Sequence, residues 1–173
     1  MTVGLVLVST ILPAGPAAAA PCTGPTCVRY SADITVAATV DPTEPVIGGF
    51  IHRYTVQVTN TGWRVGGTTA PQPGIGPDSG PVYVHLRRAP GELDVVFTND
   101  SGVPFDCFHW GAGPGHVVCH AESLPTGTTS QFTYYFQTPA LPGTYQFGID
   151  VDSYKWTEYD ETNNALTLTY GVG

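Results

Sequence analysis

Positive charge is what this sequence has least of. Six Lys and Arg stand against 14 Asp and Glu, charged residues make up only 12%, and the net charge is −8. Beyond Arg88 the sole base is Lys155. Phosphate backbones are held by a basic face, and no segment supplies one, so nucleic acid is excluded as a partner. Long apolar runs are missing too. After residue 12 no stretch approaches the ~20 apolar residues that a membrane-spanning helix needs. No window places apolar residues at helical spacing between caps, and 21 Gly with 16 Pro work against helix interiors. Catalytic signatures are equally absent. There is no phosphate loop, and Ser101-Gly102 is no nucleophile elbow, because no Gly precedes the serine at the required spacing. The expectation is a protein that is not an enzyme and uses no cofactor.

The N-terminus reads as an export signal. Val3 to Leu12 is an apolar run of the right length, followed by Pro13, Pro16 and the small residues Ala17 to Ala20. The segment Met1–Gly4 lacks the usual Lys or Arg. Cleavage near Ala19 or Ala20 divides the chain into a signal peptide (1–20), a short leader (21–31) and a domain (32–173), and places the protein outside the cell or on its surface.

Four cysteines follow: Cys22, Cys27, Cys107 and Cys119. In an exported chain an even count reads as disulfides. Three connectivities are open. Cys22–Cys27 with Cys107–Cys119 is favoured, because each pair is close in sequence and flanked by turn formers. Cys107-Phe-His109 and Cys119-His120 also resemble two pairs of zinc ligands, but their spacing is not that of a structural zinc knuckle. No metal site is expected.

From residue 32 onward, apolar and polar residues alternate with period two, the mark of half-buried strands. Ile34, Val36, Ala38 and Val40 share one face; so do Tyr54, Val56 and Val58, and then Val82, Val84 and Leu86. Leu93, Val95 and Phe97 lead into a turn at Asn99-Asp100-Ser101-Gly102. His116 to Ala121 follows, then Phe132, Tyr134 and Phe136, then Tyr145, Phe147, Ile149 and Val151, and finally Leu166, Leu168 and Tyr170. Short strands between Gly/Pro turns predict an antiparallel β-sandwich of about seven to nine strands. Residues 62–81, rich in Gly and Pro, predict a long loop.

Three motifs occur in order on this frame. Val58-Thr59-Asn60-Thr61-Gly62 ends the second strand, Ser123-Leu124-Pro125-Thr126-Gly127 follows Cys119, and Asp150-Val151-Asp152 precedes Glu158, Asp160-Glu161 and Thr162-Asn163-Asn164. Together they resemble the bacterial CARDB-type domains (cell-adhesion-related domain in bacteria) and related conserved-repeat domains of bacterial surface proteins. The resemblance spans about residues 32–171. It implies an immunoglobulin-like sandwich acting as a non-catalytic interaction or adhesion module, with an extracellular protein or glycan as partner. Physically, Gly62 lets the corner turn through positive φ, and Asn163-Asn164 can bond backbone amides at the entry to the last strand.

Three clusters are candidate sites. Asp150, Asp152, Glu158, Asp160 and Glu161 place five carboxylates within twelve residues. Asp150 and Asp152 share one strand face roughly 7 Å apart, which suits Ca²⁺ in donor type. The spacing is not that of a calcium loop, and a solvated acidic turn is the preferred reading. Tyr154, Trp156 and Tyr159, with Trp63 and Trp110 in other loops, could stack on sugar rings, which makes a small glycan-binding module the alternative function. His116 and His120 share a face with Val118, and His52, His85 and His109 read as scattered surface histidines. Asn99-Asp100-Ser101 matches a glycosylation sequon.

Overall fold

The computed structural model describes residues 32–62, 78–110, 115–153 and 161–173. The strands in these residues are β1 (Ile34–Asp41), β2 (Ile51–Asn60), β3 (Val82–Arg87), β4 (Leu93–Ser101), β5 (Asp106–His109), β6 (His116–Ala121), β7 (Thr129–Gln137), β8 (Gly143–Ser153) and β9 (Ala165–Val172). A single 3₁₀ turn, Glu161–Asn163, precedes β9. The strands form a four-stranded sheet, β1-β2-β7-β4, and a five-stranded sheet, β5-β6-β3-β8-β9, all antiparallel. This is the immunoglobulin-like sandwich expected. The export signal, the leader and the Cys22–Cys27 pair lie outside the described residues.

Period two fills the space between the sheets. From one side come Ile34, Tyr54, Val56, Val58, Phe132 and Phe136, and from the other Val84, Leu86, Phe147, Ile149 and Val151, all with at most 1% exposed. Each such side chain contributes about 1.5–3 kcal/mol on burial. Aromatic rings occupy one end, where Tyr54 stacks on Phe136 with centroids 4.2 Å apart and meets Phe147 at 3.9 Å. Phe97 and Phe105 pack on Phe132 at 5.3 and 5.2 Å. The chain also stitches the layers along an edge. Past β1 it crosses over, and Val46 bridges Val172 of β9 in parallel, with Val46 N donating to Gly171 O at 3.2 Å.

The Asn60 corner turns as expected, with Gly62 at φ +124°. Asn60 is fully buried there; its amide nitrogen donates to Leu124 O at 2.9 Å and its amide oxygen accepts from Gly62 N at 3.2 Å. Three expectations need correction. Leu93 does not share a buried face with Phe97. A register shift between Asp94 and Val96 leaves Leu93 60% exposed while Phe97 packs on the core, because a bulge inverts the alternation past it. The Asn99–Gly102 turn is largely strand, since β4 continues to Ser101. The Asn163 side chain binds no backbone amide; its amide donates to the Asp33 carboxylate at 3.2 Å.

Candidate functional site: the outer face of the five-stranded sheet

Because Val82, Val84 and Leu86 of β3 point inward, Tyr83, His85 and Arg87 point outward. The same alternation turns His116, Val118 and His120 of β6 outward, and Asp150 and Asp152 of β8. Register then brings together residues far apart in sequence. His85 lies between Val118 and Asp150, Tyr83 between His120 and Asp152, and Arg87 beside His116. On the flanking strand β5, Asp106 sits opposite His120 and Phe108 opposite Val118.

The contacts form a connected patch. His85 Nδ1 meets His116 Nε2 at 3.0 Å, and one of the two donates. His85 Nε2 lies 3.3 Å from Asp152 Oδ2 but outside hydrogen-bonding geometry, so this buried ring nitrogen has no hydrogen-bond partner. Arg87 donates to the Asp150 carboxylate through both terminal guanidinium nitrogens, Nη1 and Nη2. Tyr83 and His120 pack ring on ring at 4.7 Å. Burial, helped by the facing His85 and Arg87, holds the His116 pKa below the ordinary imidazole value. At the rim, Phe108 and Trp110 are 43% and 56% exposed, 6.2 Å apart between centroids.

Cys107 and Cys119 face each other directly across β5 and β6 and are joined as a disulfide. That uses the sulfurs on which the zinc reading depended. His109 pairs instead with Asp94 at 2.9 Å, and Asp94 also takes the nearly buried Arg88 at 2.6 Å. The expected pairing of His116 with His120 on one face holds, and Asp150 and Asp152 share theirs. Tyr154, Trp156, Tyr159, Glu158, Asp160 and Trp63 lie outside the described residues. The sequon asparagine is engaged, because Asn99 clamps the backbone of Phe105 from both sides, accepting at 2.8 Å and donating at 3.0 Å.

Two buried polar residues had no signal that set them apart in the sequence. His52, expected at the surface, is fully buried among the rings of Phe50, Phe136 and Tyr170, and neither ring nitrogen has a hydrogen-bond partner. Desolvation holds its pKa below the ordinary imidazole value, disfavouring the charged form. Glu92, in the turn between β3 and β4, is 4% exposed. It accepts from Tyr54 OH at 3.3 Å, from Tyr170 OH, and from Ala89 N at 2.7 Å. Burial outweighs those donors and pushes its carboxyl up to about 7.

The double-layered antiparallel sandwich gives this chain an immunoglobulin-like β fold. Within that class it is similar to the CARDB domain of a Pyrococcus furiosus protein, solved in complex with di-metal ions. The identity is 18% over 84% of this chain and 92% of that one, with a TM-score of 0.52. It is also similar to a cohesin module from a Clostridium perfringens family 33 glycoside hydrolase, at 9% identity over 83% and 98% and a TM-score of 0.50. No family model matches the sequence, and no curated protein matches it. No helix of the described residues is long and apolar enough to cross a membrane.

Proposed function

We propose that this chain is an exported, non-catalytic binding module, and that its partner is met by the outer face of the five-stranded sheet. The observation that carries the reading is the convergence of Tyr83, His85, His116, His120, Asp150 and Asp152 beside the exposed rings of Phe108 and Trp110. The Cys107–Cys119 disulfide supports an oxidising location, and the folds this chain resembles include a CARDB domain and a cohesin module. Extracellular protein is the first partner class. The test presents the full-length chain on beads to a cell-envelope fraction. Capture lost with Tyr83→Ala and Trp110→Ala, and retained with Gln57→Ala and Thr59→Ala, is the expected result. Capture that follows the Gln/Thr face instead overturns the assignment.

The second reading is a glycan-binding module. The exposed Trp110 and Phe108, with Asp106 two residues before Phe108 on β5, favour it, since ring faces stack on sugars while carboxylates bond their hydroxyls. Tyr154, Trp156 and Tyr159, outside the described residues, are the further aromatic candidates for this reading. A glycan array showing binding abolished by Trp110→Ala or Trp156→Ala would select this reading over the first.

A further inference from the structure

We propose that the outer face of the five-stranded sheet binds a divalent transition-metal ion of the zinc class. The donors are His85 Nε2 and one carboxylate oxygen each from Asp150 and Asp152. These atoms all lie within 4.8 Å of one another. They come from adjacent strands, β3 and β8, whose ladder fixes their backbones.

The ring nitrogen carries the argument. His85 Nε2 is buried without a hydrogen-bond partner, yet it faces a carboxylate oxygen 3.3 Å away. The other nitrogen, Nδ1, is engaged with His116. If Nδ1 donates to His116, Nε2 presents a bare lone pair to a carboxylate, an arrangement that is repulsive until a cation lies between them. If His116 donates, the Nε2 proton has no acceptor in line. In the first tautomer a cation between the lone pair and the carboxylate satisfies both. A histidine that ligates through one nitrogen while donating from the other to a neighbour is the usual second-shell arrangement at such metals, and His116 is placed to be that neighbour.

The donor set selects the ion. One imidazole with two carboxylates suits zinc and its neighbours, whereas calcium and magnesium prefer oxygen alone. At a metal–ligand reach of about 2 Å, the donors must draw in by roughly an ångström. Asp152, half exposed, is free to move, while Asp150 is held by Arg87. Three protein donors leave a coordination position open to the solvent side. The site lies on the face proposed for partner binding but stands on these residues independently of that reading.

The experiment titrates Zn²⁺, with Ca²⁺ in parallel, into the untagged full-length chain after chelator treatment, by calorimetry and thermal melting. One zinc per chain and a melting temperature that rises with zinc concentration are expected. Binding should weaken at least about tenfold in His85→Gln and in Asp152→Asn, and stay unchanged in Asp106→Asn on the same face. Arg87→Ala should bind zinc severalfold more tightly, because it removes a competing cation from Asp150; a merely structural role for that pair predicts no such gain. No saturable zinc binding overturns the proposal. So does zinc binding indifferent to His85→Gln and Asp152→Asn, or a preference for calcium with His85→Gln silent. Failure here leaves the binding face intact, since that is read from capture by the Tyr83 and Trp110 variants.

Discussion

On the four-stranded sheet the outward side chains satisfy one another. Gln57 donates to Gln131 at 2.8 Å, the Thr59 and Thr129 hydroxyls meet at 2.8 Å, and Asp100 accepts from Thr98, Gln131 and Thr133. On the five-stranded sheet, imidazoles, carboxylates and a guanidinium crowd together, and a ring nitrogen is left without a partner. Both faces come from the same period-two pattern, so backbone geometry does not distinguish them. Residue type does. Neutral Thr and Gln both donate and accept, so a ladder of them closes on itself. His, Asp and Arg have fixed or switchable roles, and the set on β3, β6 and β8 does not balance. An unbalanced polar face costs stability in isolation and becomes favourable when something binds to it.

The comparison breaks most severely where the sheets are joined. Glu92 receives Tyr54 from the four-stranded sheet and Tyr170 from the five-stranded one. Its folded carboxyl sits at about 7 against 4.5 unfolded, so the folded state holds the proton more tightly. Its contribution is therefore complete below pH 4.5 and is lost as pH rises through 7, about 3 kcal/mol in all. Chemical denaturation of the wild type and Glu92→Gln across this range should give curves that diverge with that sign; parallel curves would remove Glu92 from the account. Next comes the clasp, which belongs to the five-stranded sheet alone. Replacing Cys107 and Cys119 by Ser opens a bridge of sequence separation 12 and should cost about 2–3 kcal/mol. Hydrogen exchange should rise in β5 and β6 and stay level in β1 and β2. A smaller effect is expected on the closed face, where Gln57→Ala with Gln131→Ala should cost under about 1 kcal/mol. The smallest concerns Asp100, whose pKa is lowered chiefly by the Thr133 hydroxyl. That stabilisation is present above the unfolded carboxylate pKa and fades as pH falls, so an acid titration of Asp100→Asn should lack it.

Much of the sandwich was legible because a buried face imposes alternation, and Tyr54-Val56-Val58 or Phe147-Ile149-Val151 admit no other period. The Cys107–Cys119 pair was legible because the two cysteines are close in sequence and flanked by turn formers. Leu93 was misread because a bulge leaves no mark in the composition of the strand that carries it. The four residues of β5, between Pro104 and Gly111, are too few to show a period. The candidate site was legible only in pieces. Asp150 and Asp152 were visible as neighbours and His116 as a strand residue, but His85 joins them only through the register of three strands. Glu92 follows Ala-Pro-Gly, which reads as a solvated turn, and its burial depends on two tyrosines distant in sequence.

Tyr170 touches two buried titratable groups, bonding Glu92 through its hydroxyl and meeting His52 edge to ring at 5.1 Å. The two pull in opposite directions. His52, whose charged form is disfavoured in the core, loses its contribution as pH falls below 6.5, because the unfolded chain takes up a proton that the folded chain resists. Glu92 loses its contribution as pH climbs from 4.5. Over the interval they share, one slope opposes the other. The core thus holds two opposed pH dependences across mildly acidic surroundings, Glu92 weakening it as pH rises and His52 as pH falls. A single replacement, His52→Phe or Glu92→Gln, should tilt the profile toward alkaline or acid weakness according to which partner remains.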